Sequence, residues 1–247
     1  MFSRFAALLC LFISMAGMAD AAPCDADALG TERVLAVAPS LRVGRKHFPA
    51  TLPLAPKEVV LTFDDGPWPG TTPRILAALA RECVRATFFL VGRNAAAHAG
   101  LVKRELAEGH TVAHHSFSHP LLGRMRVDAA MADIDRGIAA DENAAYGRAT
   151  TTPTTPFFRF PGFVASPTLL DRLAQRGISV FGADLWASDW VSMSPDAELH
   201  LVLSRLEAAG GGIILFHDTR AQTAAMLPAF LRALKTRGYK VVHVVAR

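Results

Sequence analysis

Nowhere does this chain hold an uninterrupted apolar run of the roughly 20 residues that a membrane-spanning helix needs. Its longest such stretch, Phe5 to Met18, follows Arg4 and gives way to the small residues of "MADAAP" (18–23). A positive charge, an apolar segment and a small-residue cleavage site, in that order, predict a secretory leader over residues 1–22, cut near Ala21 or Ala22. No membrane insertion is expected once it is removed. A lipid anchor is also excluded, because Leu9 precedes Cys10 where a lipoprotein signal requires a small residue. Cysteine is scarce, with three in the chain. After cleavage Cys24 and Cys83 remain, and export to an oxidising compartment predicts that they form a disulfide. Lys/Arg runs interleaved with aromatics are missing as well, which excludes nucleic acid as a partner. The formal net charge of +4 is compatible with anionic envelope polymers but specifies none.

What the chain does contain is enough apolar material, 51% of 247 residues, to fill one large core. From residue 57 onward, short apolar or β-branched runs alternate with stretches of helical period, the pattern of βα units around a parallel sheet. Seven strands are predicted: "VVLTF" (59–63), "TFFLV" (87–91), "TVAHH" (111–115), "FFRF" (157–160), "SVFGAD" (179–184), "IILFH" (213–217) and "KVVHVV" (240–245). The helices between them carry apolar stripes. The first has Thr72 as N-cap, Pro73 behind it, and Ile75, Leu76, Leu79 and Cys83 on its inner face. Residues 23–56 contain no clear βα unit and are expected to form an N-terminal arm packed on a single barrel domain of residues 57–247.

Active sites of such barrels lie where strands end and βα loops begin. Five of the seven predicted strand ends carry polar chemistry: Asp64-Asp65-Gly66-Pro67, "HHSFSHP" (114–120), Arg159 with Pro161, "DLWASDW" (184–190), and His217-Asp218. Two consecutive carboxylates at a strand end are costly unless a positive charge faces them, and a divalent metal together with Arg159 would supply it. Gly66 would let the backbone turn so that both face one cavity. His115 and His119, four apart at the mouth, suit a shared metal ion. His110 and His114 have the same spacing, but His110 lies at the wrong end of its strand. It is read as a capping or packing residue, and His114 as a residue of the pocket or just behind it. All three tryptophans, Trp68, Trp186 and Trp190, fall in strand-end loops, where each offers a flat apolar face for stacking.

Taken in order, "TFDDGP", "HSFSHP", "RFP", "DLWASDW" and "LFHD" make residues 57–247 resemble the polysaccharide deacetylases, the NodB-homology carbohydrate esterases. The resemblance implies a distorted (β/α)7 barrel and the metal-dependent removal of acetyl groups from acetylated glycans. Carried over position by position, it makes Asp65, His115 and His119 the metal ligands, Asp64 the general base and His217 the general acid. Arg159 matches the residue that orients the base, and Asp189 the carboxylate that tunes the acid. Asp184 and Trp186 could instead take the places of Asp189 and Trp190. Leu215 and Trp190 would line the pocket for the acetyl methyl group. Where the family usually has Tyr or Phe, this chain has Gly162; a backbone N–H survives that change, while the aromatic wall is lost or shifts to Phe163.

The implied metal is Zn²⁺, with Co²⁺ and others equally suited to two imidazoles and a carboxylate. The implied substrate is an acetylated polysaccharide or oligosaccharide such as peptidoglycan, a chitin-like chain or poly-N-acetylglucosamine. The expected location is periplasmic or extracellular. Two alternatives share the motifs: an O-acetyl esterase on xylan or wall sugars, and a glycan-binding barrel without activity.

Overall fold

Every residue of the strand that precedes the two carboxylates, β3 (Glu58–Asp64), is buried, as expected of a parallel strand covered on both faces. In the computed structural model, which describes residue 24 and residues 27–247, this strand is the hub of the sheet. The predicted leader and Cys10 lie outside the described residues. Two strands precede β3, namely β1 (Thr31–Val37) and β2 (Arg42–Val43). After it come α1 (Thr72–Arg81), β4 (Thr87–Leu90), α2 (Gly92–Ala97), α3 (Ala99–Ala107), β5 (Thr111–His114), α4 (Val127–Tyr146), β6 (Phe157–Phe158), α5 (Pro167–Gln175) and β7 (Ser179–Phe181). The chain continues through β8 (Leu185–Trp186), α6 (Pro195–Ala209), β9 (Gly212–His217), α7 (Ala221–Thr236) and β10 (Lys240–Ala246).

All recorded ladders are parallel, and around the barrel the strands run β7-β6-β5-β4-β3-β9-β8. This is a single-domain (β/α)7 barrel, but not with the seven strands expected. Residues 179–184 form no single strand: the chain breaks after Phe181, and the seventh barrel strand is β8. The run at 240–245, expected as a barrel strand, meets β3 only through Lys240↔Glu58 and Val241↔Val59 before pairing along its length with β1. The arm therefore belongs to the sheet. Its β2 pairs with β7 on the side where β7 and β8 part, and Lys46 N–H donates to Ala183 O at 3.0 Å in that gap.

Alternation along the strands divides the core. Val59, Leu61 and Phe63 face an outer layer with Ile75, Leu76 and Leu79 of α1 and Leu227, Phe230 and Leu231 of α7. Val60 faces inward with Phe89, Ala113, Phe181, Ile213 and Val242, filling the barrel below the mouth. A third cluster joins Ile134 and Ile138 of α4 to Leu169 and Leu173 of α5 over Phe158 and Val180. Several helices start as their sequences require: Ser166 and Ser194 accept from the N–H groups of Leu169 and Ala197, each ahead of a proline. The start of α1 differs from expectation. Its cap position is Thr71, and Thr72, already inside the helix, spends its hydroxyl on Asp218.

Candidate active site

Inward-facing positions at the ends of β3, β5 and β9 bring Asp64, His115 and His217 to one mouth. Asp64 ends its strand in regular extended register, whereas Asp65 leaves it with φ 76°, a left-handed conformation rare for a non-glycine residue. The turn that swings both carboxylates to one side is thus made at Asp65, not at Gly66 as expected. Gly66 is required for a different reason: a Cβ there would stand 2.1 Å from Asp218 Oδ2. Asp218 is wholly buried and accepts from Thr72 Oγ1 at 2.6 Å, so it braces the turn from behind.

Arg159 is fully buried and its guanidinium is held from four directions. Nη1 donates to Asp64 Oδ1 at 2.6 Å and to Thr62 Oγ1 at 2.9 Å, Nη2 to Gly182 O at 2.9 Å, and Nε to Phe181 O at 3.3 Å. This guanidinium also lies 4.2 Å over the Phe89 ring. One oxygen of Asp64 is thereby fixed; the other, Oδ2, lies 3.7 Å from His115 Nε2 and faces the cavity.

Asp65, His115 and His119 converge so that one donor atom from each lies within 4.8 Å of the others. His119 Nε2 is 3.2 Å and His115 Nε2 3.6 Å from Asp65 Oδ1, yet that oxygen is buried and has no hydrogen-bond partner among the described residues. His115 Nδ1 is 2.7 Å from Arg159 O, which selects the tautomer with a proton on Nδ1 and a free lone pair on Nε2. An orphaned carboxylate oxygen and an imidazole in ligand-ready tautomer form a donor set that fits a divalent cation. Burial pushes the Asp65 carboxyl up, but the adjacent His119 imidazole, together with the His115 and His217 rings nearby, outweighs it and holds the group well below the carboxylate range. Burial lowers His115, while the Asp65 carboxylate raises His119.

The loop carrying these histidines is held by α4. Asp133 accepts from Phe117 N–H at 3.0 Å, Ser118 N–H at 3.2 Å and the Ser118 hydroxyl at 2.6 Å. One turn further on, Gly137 lets the helix press against the loop, where a Cβ would meet the Ser116 carbonyl carbon at 2.5 Å. His119 itself has φ 61°.

Across the mouth, His217 donates twice to one carboxylate: its backbone N–H to Asp189 Oδ2 at 2.6 Å and Nδ1–H to Asp189 Oδ1 at 2.7 Å. The Thr223 hydroxyl lies 2.8 Å from Asp189 Oδ2 and 3.0 Å from Glu198 Oε1, extending the chain of contacts to α6. Burial would lower the His217 pKa, but Asp189, with Asp65 and Asp64, raises it to about 9. Asp184 is elsewhere, bound to Arg45 N–H, Thr51 Oγ1 and Ile213 N–H, so Asp189 is the partner of His217.

These groups open into a cavity of about 400 Å³, with Gly162, Phe163, Trp190 and Leu215 in its walls. Trp186 lines it too, whereas Trp68 stands in a neighbouring groove with Arg93 and Asn94. His110 packs edge-on to Phe88 and accepts from Ala86 N–H, as expected. Of the two places expected for His114, the pocket is ruled out: it is not in the cavity wall but points outward from β5, beside His115, and meets Asp141 Oδ2 of α4 at 2.8 Å. Period-two alternation settles this, because His115 and His114 must face opposite sides of β5. Two lining residues, His47 and Arg220, went unread in the sequence, as did Thr223 behind Asp189. Nothing local in "GRKHFP" singles out His47; only the path of the arm brings it here.

The family profile described as polysaccharide deacetylase matches residues 52–181, more than half of the chain. A peptidoglycan-N-acetylglucosamine deacetylase of Listeria monocytogenes is 32% identical over 209 residues, an alignment that covers 82% of this chain and 42% of that protein. A chitooligosaccharide deacetylase of Sinorhizobium fredii is 33% identical over 194 residues, covering 73% of this chain and 87% of the relative. Among solved structures, a peptidoglycan deacetylase of Bdellovibrio bacteriovorus superposes with a TM-score of 0.73 at 31% identity, covering 91% of this chain and 58% of that one. The chain thus spans about two fifths of the length of the Listeria relative. By profile, by identity and by fold, this chain belongs to the polysaccharide deacetylase family.

Proposed function

We propose that this protein is an exported, metal-dependent hydrolase that removes acetyl groups from N-acetylglucosamine-containing glycans. The observation that carries the reading is the grouping of Asp65, His115 and His119 around one point, with the free oxygen of Asp64 on one side and the His217 imidazole on the other. The names of the relatives, deacetylases of peptidoglycan and of chitooligosaccharides, support the substrate class.

Asp65, His115 and His119 would hold the cation, with Zn²⁺ or Co²⁺ suited to the donor set. Such an ion supplies Lewis acidity that polarises an acetyl carbonyl and acidifies water. Asp64, its Oδ1 tied to Arg159, presents Oδ2 to take a proton from the attacking water. Arg159 acts by holding that carboxylate in one orientation. His217, kept protonated by Asp189, delivers a proton to the departing amine, which leaves poorly as an anion. The N–H of Gly162 serves the developing oxyanion, and Leu215 and Trp190 enclose the acetyl methyl group. The products are acetate and the free amino sugar.

Export over the leader at 1–22, with the arm at 23–56 and the catalytic barrel at 57–247, is supported by the disulfide between Cys24 and Cys83. The test is acetate release from a panel of peptidoglycan, chitooligosaccharides, poly-N-acetylglucosamine and O-acetylated xylan. Activity on the N-acetyl substrates should vanish on chelation, return with added Zn²⁺ or Co²⁺, and fall about 100-fold or more in Asp64→Asn. Turnover untouched by both treatments would refute the mechanism, faster release from O-acetyl substrates would move the enzyme to ester chemistry, and glycan binding without acetate would make it a binding protein.

A further inference from the structure

One wall of the cavity comes from outside the βα units. After β2 the arm turns through the gap between β7 and β8. Gly182 N–H donates to Val43 O at 2.6 Å, Lys46 N–H to Ala183 O at 3.0 Å, and His47 N–H to Gly44 O at 2.9 Å. This turn lays the His47 ring face to face on Phe163, with centroids 3.8 Å apart and planes 20° apart, and 6.2 Å from Trp186. The ring lines the same cavity as Asp64, Asp65 and His217.

Its two nitrogens differ. Nδ1 is buried without a partner among the described residues, turned to the Cα side of Gly182, where an added Cβ would be 2.9 Å away. Nε2 is neither buried nor hydrogen-bonded among the described residues, and the ring that carries it lines the cavity. Burial, with the Arg159 and Lys46 charges, lowers the His47 pKa to about 4, so the ring is neutral at ordinary pH. A neutral imidazole pinned by stacking presents one hydrogen-bonding atom at a fixed place, beside an apolar ring face. That combination suits a sugar, which offers hydroxyl and acetamido groups at the rim of an apolar ring face.

We infer that His47, carried by the N-terminal arm and stacked on Phe163, is a glycan-binding and specificity-determining residue of this site, hydrogen-bonding through Nε2 to the N-acetylhexosamine unit in the cavity. The inference rests on the deacetylase reading for the identity of the sugar. Binding energy from such a contact, made away from the scissile bond, would act mainly on substrate affinity.

The test uses the mature chain loaded with Zn²⁺ and N-acetylglucosamine tetramer as probe, comparing His47→Phe, which keeps the stack and removes the nitrogen, with His47→Gln, which keeps a polar group. His47→Phe should raise KM about 10-fold with a smaller change in kcat, and His47→Gln should recover part of the loss. In parallel, the ring ¹⁵N resonances of His47 are followed as the tetramer is added to the Asp64→Asn protein with its native His47, so that misfolding of a His47 variant cannot obscure the answer. A shift of the Nε2 resonance that saturates with the tetramer supports the contact. KM within twofold of wild type in His47→Phe, or Nε2 unmoved at saturating tetramer, overturns it. Failure of the wild-type chain to release acetate while the tetramer still shifts His47 would refute the deacetylase reading and leave the binding role standing.

Discussion

Asp189 reaches the proposed chemistry only through His217, and this makes it the residue whose replacement is most informative. Asp189→Asn keeps the shape and removes the charge that raises the imidazole to about 9. A general acid must be protonated to act, so kcat/KM falls as pH rises through the pKa of His217. Without Asp189 only Asp65 and Asp64 oppose the effect of burial, so that pKa falls, and the alkaline limb of the pH profile should move to lower pH, with a rate loss that is smallest at the acid end. A limb that stays in place would assign it to another group. At this scale the sequence was highly legible for residues at strand ends, since Asp64, Asp65, His115, His119 and His217 stand at the mouth and Arg159 is buried behind Asp64. It was less so for conformation. The left-handed backbone sits at Asp65 and not at the adjacent glycine, because the space behind Gly66 is filled by Asp218, a contact between distant loops that no local pattern encodes.

Secondary-structure elements, as well as the side chains themselves, position the three residues proposed to hold the metal. Helix α4 offers one carboxylate, Asp133, to two N–H groups and one hydroxyl of the loop between His115 and His119. Removing it in Asp133→Ala leaves that loop without its acceptor while the donor atoms of Asp65, His115 and His119 remain. Supporting contacts of this kind typically contribute 10- to 100-fold in metal affinity. We expect Zn²⁺ affinity, measured by chelator competition, to fall by about 10-fold or more while the circular dichroism spectrum is unchanged; an unaltered affinity would make the loop self-supporting. Strand and helix periods were readable, and the outer apolar stripes pack where they should. What misled was strand identity. "SVFGAD" and "KVVHVV" look alike as apolar runs, and only tertiary pairing decides that the first breaks and the second closes onto β1.

For the molecule as a whole, the arm is part of the sheet and of the cavity, and the disulfide Cys24–Cys83 anchors its start beside the end of α1. The sequence separation of 59 residues places the chain-entropy stabilisation at about 4 kcal/mol. Replacing both cysteines by serine should therefore lower unfolding stability by about 2–4 kcal/mol in denaturant titration, with the same loss on reduction of the native protein. No change would mean that β1 and β2 hold the arm unaided. The arm was the least legible region, because a two-residue strand carries no periodicity and its place beside β7 is set by the opening there.

The pairing of β1 with β10 also sets an order of assembly. Thr31 to Val37 stay without their ladder until Val241 to Ala246 have been synthesised and delivered, so β1 can dock only after every barrel strand is present. A ribosome or a translocation channel that released the chain short of its final strand would leave an open edge where the sheet should continue, and unfinished copies would be exposed to aggregation and proteolysis.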